Sequence, residues 1–255
     1  MEIRIIPVKI DEELDNMEDF LKTLGDKLEG ILEEGDVVVI ASKILLKVRG
    51  LYIQLDDVKP SDKAVKLANL YNMDPRYVEL ILSYSDKVLG GVDKVLLTYA
   101  GKVLTANAGL DRKNIGGGRV SLPPYLLRGV SKEIYEYLLK RLGVKVGVVI
   151  TDSVVHPLRM GTRLYAVDLY GFEPIKDYRG KEDIFGRNIV FTRMNLADEI
   201  SSAAHLVMGE GREKIPVAII KGLKLSLVER DLTQEIHIDP KECLYKDLYL
   251  HKILD

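Results

Sequence analysis

Cysteine is nearly absent: the 255 residues hold one, Cys243. An intrachain disulfide is therefore excluded. With no CxxC pair and no Cys/His cluster, a structural zinc site is not expected, and the redox setting reads as cytosolic. No segment approaches the roughly 18 apolar residues that a membrane span needs. The opening MEIRIIPVKIDEELDNMED also lacks the basic stretch and apolar core of a signal peptide. A soluble, cytoplasmic protein without a membrane partner is expected. Neither GxxxxGK[ST] nor GxGxxG occurs, so there is no P-loop and no Rossmann motif. A charge of one sign is missing too: 37 basic residues stand against 39 acidic ones, interspersed, which leaves no basic footprint for nucleic acid.

What is present is charge in quantity, 30% of residues, together with many Val, Ile and Leu and only two glutamines, a balance that leans toward a heat-adapted source. The length allows one large domain or two modest ones, each able to bury a core. MEIRIIPVKI alternates as a strand, and Met17, Phe20, Leu21, Leu24, Leu28 and Leu32 then recur at helical spacing. DVVVIAS (36–42) is a buried strand, after which Lys43, Lys47 and Arg49 gather past its end. Ser61 and Asp74-Pro75 open two helices, and Ala100-Gly101 marks a hairpin turn within strand-like residues 87–107. NAGLDRKNIGGGRVSLPP (107–124) abandons periodicity and reads as a long loop. A helix from Ser131 leads into the strand VKVGVVIT (144–151), and RLYAVDLYGF and NIVFTRM read as further strands. LADEISSAAHLVMGEG is a small-residue helix ending at Gly209, and IPVAIIKG is one more buried strand. The fold class is mixed α and β, of α+β or α/β type.

Four stretches place polar groups at the ends of these apolar elements. Asp111 follows Asn107-Ala108-Gly109; Asp152 and Ser153 end a strand; Glu210 sits between Gly209 and Gly211; Ser42, Lys43 and Lys47 leave another strand. Brought together, they would form a carboxylate cluster with lysines beside it. Hard divalent cations take oxygen ligands, commonly one or two carboxylates with phosphates completing the shell, so this is a magnesium-nucleotide site in outline. The same residues admit plainer roles: Asp111 as an Asx turn, Glu210 as a helix C-terminus, His156 as a solvated loop side chain rather than a general base, Arg159 as one half of a salt bridge rather than an anion clamp.

The pieces VVIASKILLKVRG, NAGLDRKN with SLPP after it, GVVITDS, the RMG of residues 159–161, DYRGKEDIFGR and ADEISSAAHLVMGEGREKIPVAIIKG occur in an order that resembles the F420 gamma-glutamyl ligase family, the coenzyme F420-0:L-glutamate ligases. The resemblance implies a two-lobed fold in residues 1–222, with two intertwined lobes, a divergent tail over 223–255, a homodimer and an archaeal setting. It implies GTP, Mg2+ or Mn2+ at two sites, and K+ as a monovalent cation. Asp111 and Asp152 would hold one metal, and Ser153 and Glu210 the second. Ser42, Lys43, Lys47, Asn114 and the segment from Met208 through Gly209 and Gly211 to Ile215 would contact the nucleotide. Asp111, Asp152 and Arg159 would serve catalysis. The implied reaction joins L-glutamate to a deazaflavin precursor: the γ-phosphate of GTP activates a carboxylate as an acyl phosphate, which the glutamate amine attacks.

The chain departs from the family pattern at several points. Family members continue the strand-end aspartate as Asp-Thr-Xaa-Gly-Arg, whereas this chain has Asp152-Ser153-Val154-Val155-His156. Asp168 stands in a strand where the family has small residues, Arg49 takes a commonly acidic place, and no Gly-Leu-Pro turn follows Val8. These changes leave two other expectations open: a ligase of the same fold with another carboxylate acceptor, or a nucleotide-binding dimer without catalysis.

Overall fold

The computed structural model describes residues 2–113 and 115–254. The chain opens with β1 (Arg4–Val8) and α1 (Met17–Leu28), the helix capped by Asn16, whose side chain accepts from the Asp19 N–H at 2.9 Å. Phe20, Leu24 and Leu28 recur every four residues on one face of α1 and are fully buried, each worth about 1.5–3 kcal/mol of apolar burial. β2 (Val37–Ala41) runs directly into α2 (Ser42–Val48). Next come β3 (Tyr52–Gln54), α3 (Asp62–Tyr71), α4 (Pro75–Tyr84), β4 (Lys87–Val92), β5 (Val95–Ala100), β6 (Val103–Ala106) and β7 (Arg119–Ser121). Ser61 and Asp74 cap α3 and α4, as their positions in the sequence suggest. The second half supplies α5 (Val130–Leu142), β8 (Gly147–Val155), β9 (Thr162–Phe172), β10 (Ile175–Asp177), β11 (Arg193–Asn195), α6 (Leu196–Met208), β12 (Val217–Lys221), β13 (Leu227–Asp231) and α7 (Lys246–Leu254). Among the described residues no helix is long and apolar enough to cross a membrane.

Six strands form one sheet in the order β1-β12-β2-β8-β9-β13. β2 and β8 are parallel, in register from Val37 opposite Gly147 to Ala41 opposite Thr151, and every other pair is antiparallel. Because strand side chains alternate, β2 serves two cores at once. Val38 and Ile40 join α1, α2 and α5 on one face; Val37 and Val39 join α6 on the other. A separate apolar cluster, built from α3, α4 and the strands between residues 51 and 122, forms the second lobe around Leu55, Val78, Ile81, Leu96 and Val120. The two-lobed α+β architecture expected from the sequence is the one observed.

Local differences have physical reasons. The strand through residues 144–151 does not stop at Asp152; β8 continues to Val155, paired with β9, after a register shift between Ile150 and Thr151. Polarity on one face of a hairpin had the appearance of a strand end. The segment 107–124 is not structureless: β7 pairs with β3, and Asp111 bridges to Ser121. Of NIVFTRM, only Arg193 and Met194 enter a strand, β11.

The tail is woven into both lobes. β13 extends the sheet beside β9, and α7 lies against β4, where Lys252 Nζ donates to the Leu89 carbonyl at 3.1 Å. Its anchor is Asp168, the strand aspartate that departs from the family pattern. Fully buried, Asp168 accepts from the Gly129 and Ser131 N–H groups at 3.1 and 2.9 Å, at the start of α5, and from Thr233 Oγ1 at 3.1 Å. A carboxylate at a helix N-terminus meets unpaired N–H donors and the favourable end of the dipole. Thr233 Oγ1 also accepts from the Leu169 N–H at 3.0 Å. The isosteric Thr233→Val substitution therefore strips one donor from a buried carboxylate and one acceptor from a buried amide. It is expected to lower stability by about 1–3 kcal/mol. Urea unfolding measures this, and an unchanged midpoint would contradict the anchoring role.

Candidate active site

The register of the sheet brings the site together. Ala41 pairs with Thr151 across the parallel strands, so the next residues on each strand, Ser42 and Asp152, are neighbours. Ser42 Oγ donates to Asp152 Oδ1 at 2.6 Å. Ser42 is the first residue of α2, whose N-cap, Ala41, offers no side-chain cap. α2 then presents Lys43 and Lys47 on the same side. Lys43 Nζ lies 2.5 Å from Asp111 Oδ2, spanning 68 residues of sequence and joining the two lobes.

Asp111 is delivered by an unusual turn. Asn107, Ala108 and Gly109 all have positive φ, 52°, 56° and 78°. The Asn107 side chain accepts from the Leu96 N–H at 2.9 Å, and the Tyr77 hydroxyl donates to the Leu110 carbonyl at 2.8 Å. The backbone is thus held from both sides in a conformation that L-residues adopt at a cost. Asp111 Oδ1 also accepts from the Lys113 N–H at 2.9 Å, so the Asx turn and the Lys43 contact coexist on one carboxylate.

Glu210 enters from the third direction. Gly209 ends α6 with φ 68° and ψ −169°, a region open in practice to glycine alone, and a Cβ there would run into the Glu213 carboxylate. The turn aims Glu210 back at β8 and β9, where Ser153 Oγ and Thr162 Oγ1 donate to its Oε1 at 2.6 and 3.0 Å. His205 Nε2, on the last turn of α6, lies 3.2 Å from the same oxygen. Gly211 N–H donates to Glu213 Oε2 at 2.8 Å.

One cleft of about 540 Å³ is lined by Ser42, Lys43, Lys47, Asp152, Ser153, Met208, the loop from Gly209 to Pro216 and the run Asp11–Glu13, and Asp111 reaches it through Lys43. It opens at the carboxyl ends of the parallel pair, where α/β sheets commonly bind ligands. Burial pushes the Asp152 carboxyl up to about 6, against the Ser42 hydrogen bond and the Lys43 charge, which pull it down, while Asp111 nearby pushes it up. For Glu210, burial also raises the pKa, but the Ser153 and Thr162 hydroxyls, His205 and Lys43 outweigh it and hold the carboxyl below its usual range. Two carboxylates on adjacent positions are thus tuned in opposite directions by their surroundings.

The structure brings together Ser42, Lys43, Lys47, Asp111, Asp152, Ser153, Met208, Gly209, Glu210 and Gly211. Asn114 lies outside the described residues. Arg159 is not brought into the cleft: it sits on the exposed β8–β9 hairpin tip with His156, its N–H bonded to the His156 carbonyl at 3.1 Å. Val155 is likewise exposed, so the altered residues after Ser153 lie outside the cleft within this chain. Arg49 turns to Glu133 on α5. The histidine at the site is His205, not His156. Thr162 and His205 carry no local sequence signal that marks them as neighbours of Glu210, because one arrives through the hairpin register and the other through a helix turn.

Whether the donors suit a metal is decided by their chemistry. Asp111, Asp152, Ser153 and Glu210 offer only oxygen, as a hard divalent cation requires. Among the described residues, no three His, Cys, Asp or Glu side chains already converge as an ion cage. The Lys43 ammonium meanwhile supplies positive charge beside Asp111. This fits a cation that takes a few protein oxygens and draws its other ligands from phosphate and water.

Residues 7–222 match the family model described as F420-0:Gamma-glutamyl ligase. The chain is 36% identical over 226 residues to the coenzyme F420:L-glutamate ligase of Methanopyrus kandleri, covering 88% of this chain and 89% of that protein. It is 36% identical over 203 residues to the enzyme of the same name from Methanothermobacter thermautotrophicus, covering 79% and 80%. With the Archaeoglobus fulgidus protein of that name it shares 29% identity over 226 residues, covering 89% and 90%. Taken with a cleft whose carboxylates and lysines come from the same segments that carry the resemblance, this match over most of the length places the chain in the F420-0:gamma-glutamyl ligase family.

Proposed function

We propose that the protein joins L-glutamate to coenzyme F420-0 through a gamma-glutamyl-type amide bond, using GTP and a divalent metal. The observation that supports this reading is one cleft lined by Asp152, Glu210, Lys43 and Lys47 from separate segments, with Asp111 of the other lobe held against Lys43. A structural protein has no need to line an open cleft with two of these carboxylates and two lysines and to set a third carboxylate on one of the lysines. One of them, Asp152, is desolvated without an ion-pair partner of its own among the described residues.

The chemistry follows from the substrates. A carboxylate is a poor electrophile. Its oxygen attacks the γ-phosphorus of GTP, the bond to the β–γ bridging oxygen breaks, and GDP leaves with that electron pair. The amine of glutamate, deprotonated, then attacks the acyl carbon and expels inorganic phosphate, giving the amide. Lys43 and Lys47 orient the triphosphate and offset its charge. The glycine-bounded loop from Gly209 to Ile215 lets phosphate approach the main chain. Asp111 and Asp152 would hold one Mg2+ or Mn2+, and Ser153 and Glu210 a second; when bound, these ions neutralise charge on the phosphate oxygens. The Ser42 and Ser153 hydroxyls fix the rotamers of Asp152 and Glu210, so the oxygens are placed before any ligand arrives.

A homodimer fits the surface. Ile184, Phe185, Val190 and Phe191 are 63–92% exposed on the arm between β10 and β11, and Leu158 and Met160 are fully exposed on the β8–β9 tip. Apolar side chains concentrated on projecting arms are the usual mark of a surface that another chain covers. We take these arms to clasp a second copy. Phe185→Asp with Phe191→Asp is expected to shift the protein from dimer to monomer in analytical ultracentrifugation. A dimer of unchanged affinity would remove the arms from the interface.

Asp152→Asn tests the catalytic reading directly. The substitution preserves shape and an acceptor oxygen for Ser42 while removing the charge. We expect the far-UV circular dichroism to stay unchanged and metal-dependent phosphate release from GTP, with both co-substrates present, to fall by roughly a hundredfold or more. Wild-type turnover in the variant would rule out Asp152 as a metal-holding group.

A further inference from the structure

The carboxyl group of Glu210 is held asymmetrically. Ser153 Oγ donates to its Oε1 at 2.6 Å, and Thr162 Oγ1 donates to the same oxygen at 3.0 Å. His205 Nε2 stands 3.2 Å from it as well. Among the described residues, no protein group meets Oε2. A carboxylate oxygen offers about two lone-pair positions, so the two hydroxyls fill those of Oε1. The imidazole occupies a further side. Oε2 keeps both of its positions, on a side chain that is 37% exposed and lines the cleft.

Three elements build this arrangement. β8 and β9 pair Ser153 with Leu164 and Val155 with Thr162, so Ser153 and Thr162 lie diagonally on one face of the hairpin. His205 comes from the last turn of α6, just before Gly209 turns the chain back. Its side chain is 17% exposed, so the ring is packed in place beside the carboxyl. Thr162 and His205 play no part in the metal and nucleotide assignments above, yet both converge on the oxygen that a ligand would otherwise share.

A carboxylate with one oxygen committed to the protein can offer a cation only the other. Cations differ in their tolerance of that limit. Ca2+ favours a large, flexible shell in which carboxylates often supply both oxygens, whereas Mg2+ and Mn2+ take a compact octahedron that a single oxygen suits. We propose that Thr162 and His205 are specificity-determining residues: by holding Oε1 they make Glu210 a one-oxygen ligand through Oε2, and so select Mg2+ or Mn2+ over Ca2+. The assignment rests on the proposed function for the presence of a metal at Glu210. Ser153 serves both needs, since its hydrogen goes to Oε1 while its lone pairs stay available to the same ion. Without Thr162 and His205 the carboxyl is free to turn about its last bond and close on a larger cation with both oxygens.

The test is electron paramagnetic resonance of protein-bound Mn2+, with Ca2+ as competitor, on the full-length protein and a non-hydrolysable GTP analogue. The Glu210 site is the fraction of bound Mn2+ that Glu210→Gln removes. In that fraction, Thr162→Val combined with His205→Leu is expected to weaken Mn2+ by about tenfold or more and to lower the preference for Mn2+ over Ca2+ by about tenfold. Thr162→Ser, which keeps the hydroxyl, should retain the wild-type preference. An unchanged preference in the double variant would overturn the assignment, even if both ions bind more weakly, because a merely distorted site loses them alike. Full Mn2+ binding by Glu210→Gln would remove the ion from Glu210 and the assignment with it. The expected change of preference in a protein that forms no amide would leave the assignment standing and remove the ligase reading.

Discussion

The parallel pairing of β2 with β8 is the constraint on which the site depends. It is the single parallel contact in a sheet of otherwise antiparallel neighbours. Parallel alignment points both strands at the same end of the sheet, so the residues that follow Ala41 and Thr151 emerge side by side. The antiparallel partner β12 begins there, with Val217 opposite Ile40, and β1 ends there, with Val8 opposite Val217. Four chain segments thus converge on one edge: the start of α2, the Asp152 stretch, the Gly209–Pro216 loop and the acidic run Asp11–Glu13. A one-residue slip in β2 against β8 would separate Ser42 from Asp152 and turn one of them to the other face.

The two ends of the sheet handle charge differently. At the far end, buried Lys221 closes onto buried Asp36 at 2.6 Å and onto exposed Glu33 at 2.9 Å, and Asp36 also accepts from the Glu33 N–H, so the buried pair is internally satisfied. At the cleft, satisfaction is partial. Asp152 has a hydroxyl but no cation of its own, Glu210 has two hydroxyls and His205, and Lys43 serves Asp111 while its field reaches both other carboxylates. A set of carboxylates that shares one lysine is short of positive charge. In the account proposed here metal ions supply it, and the triphosphate they accompany is met by Lys43 and Lys47.

Much of this was legible in the sequence, for identifiable reasons. Continuous apolar runs such as VVVIA and VAIIK marked the central strands, and Ser61, Asp74 and Gly209 marked helix ends because their local hydrogen bonding or backbone freedom is specific. Polarity at Asp152 and Ser153 is visible in the sequence but matches that of a strand end, since a hairpin that carries polar groups into a cleft looks the same in one dimension. The Lys43–Asp111 and Ser42–Asp152 contacts, 68 and 110 residues apart, depend on the sheet register and carry no local signal. The tail and Asp168 looked like two unrelated departures from the family pattern. In three dimensions they are one feature, because Thr233 of the tail completes the hydrogen bonding of the Asp168 carboxylate.

Under the proposed function, this cleft forms an amide between L-glutamate and a deazaflavin carboxylate at the expense of GTP. Mass spectrometry of a reaction containing the purified protein, F420-0, L-glutamate, GTP and Mn2+ tests it most directly. The expected product is heavier by one glutamyl residue, formed together with GDP and absent when GTP or metal is omitted. Formation of no glutamyl product under conditions where the protein is folded and binds GTP would contradict it.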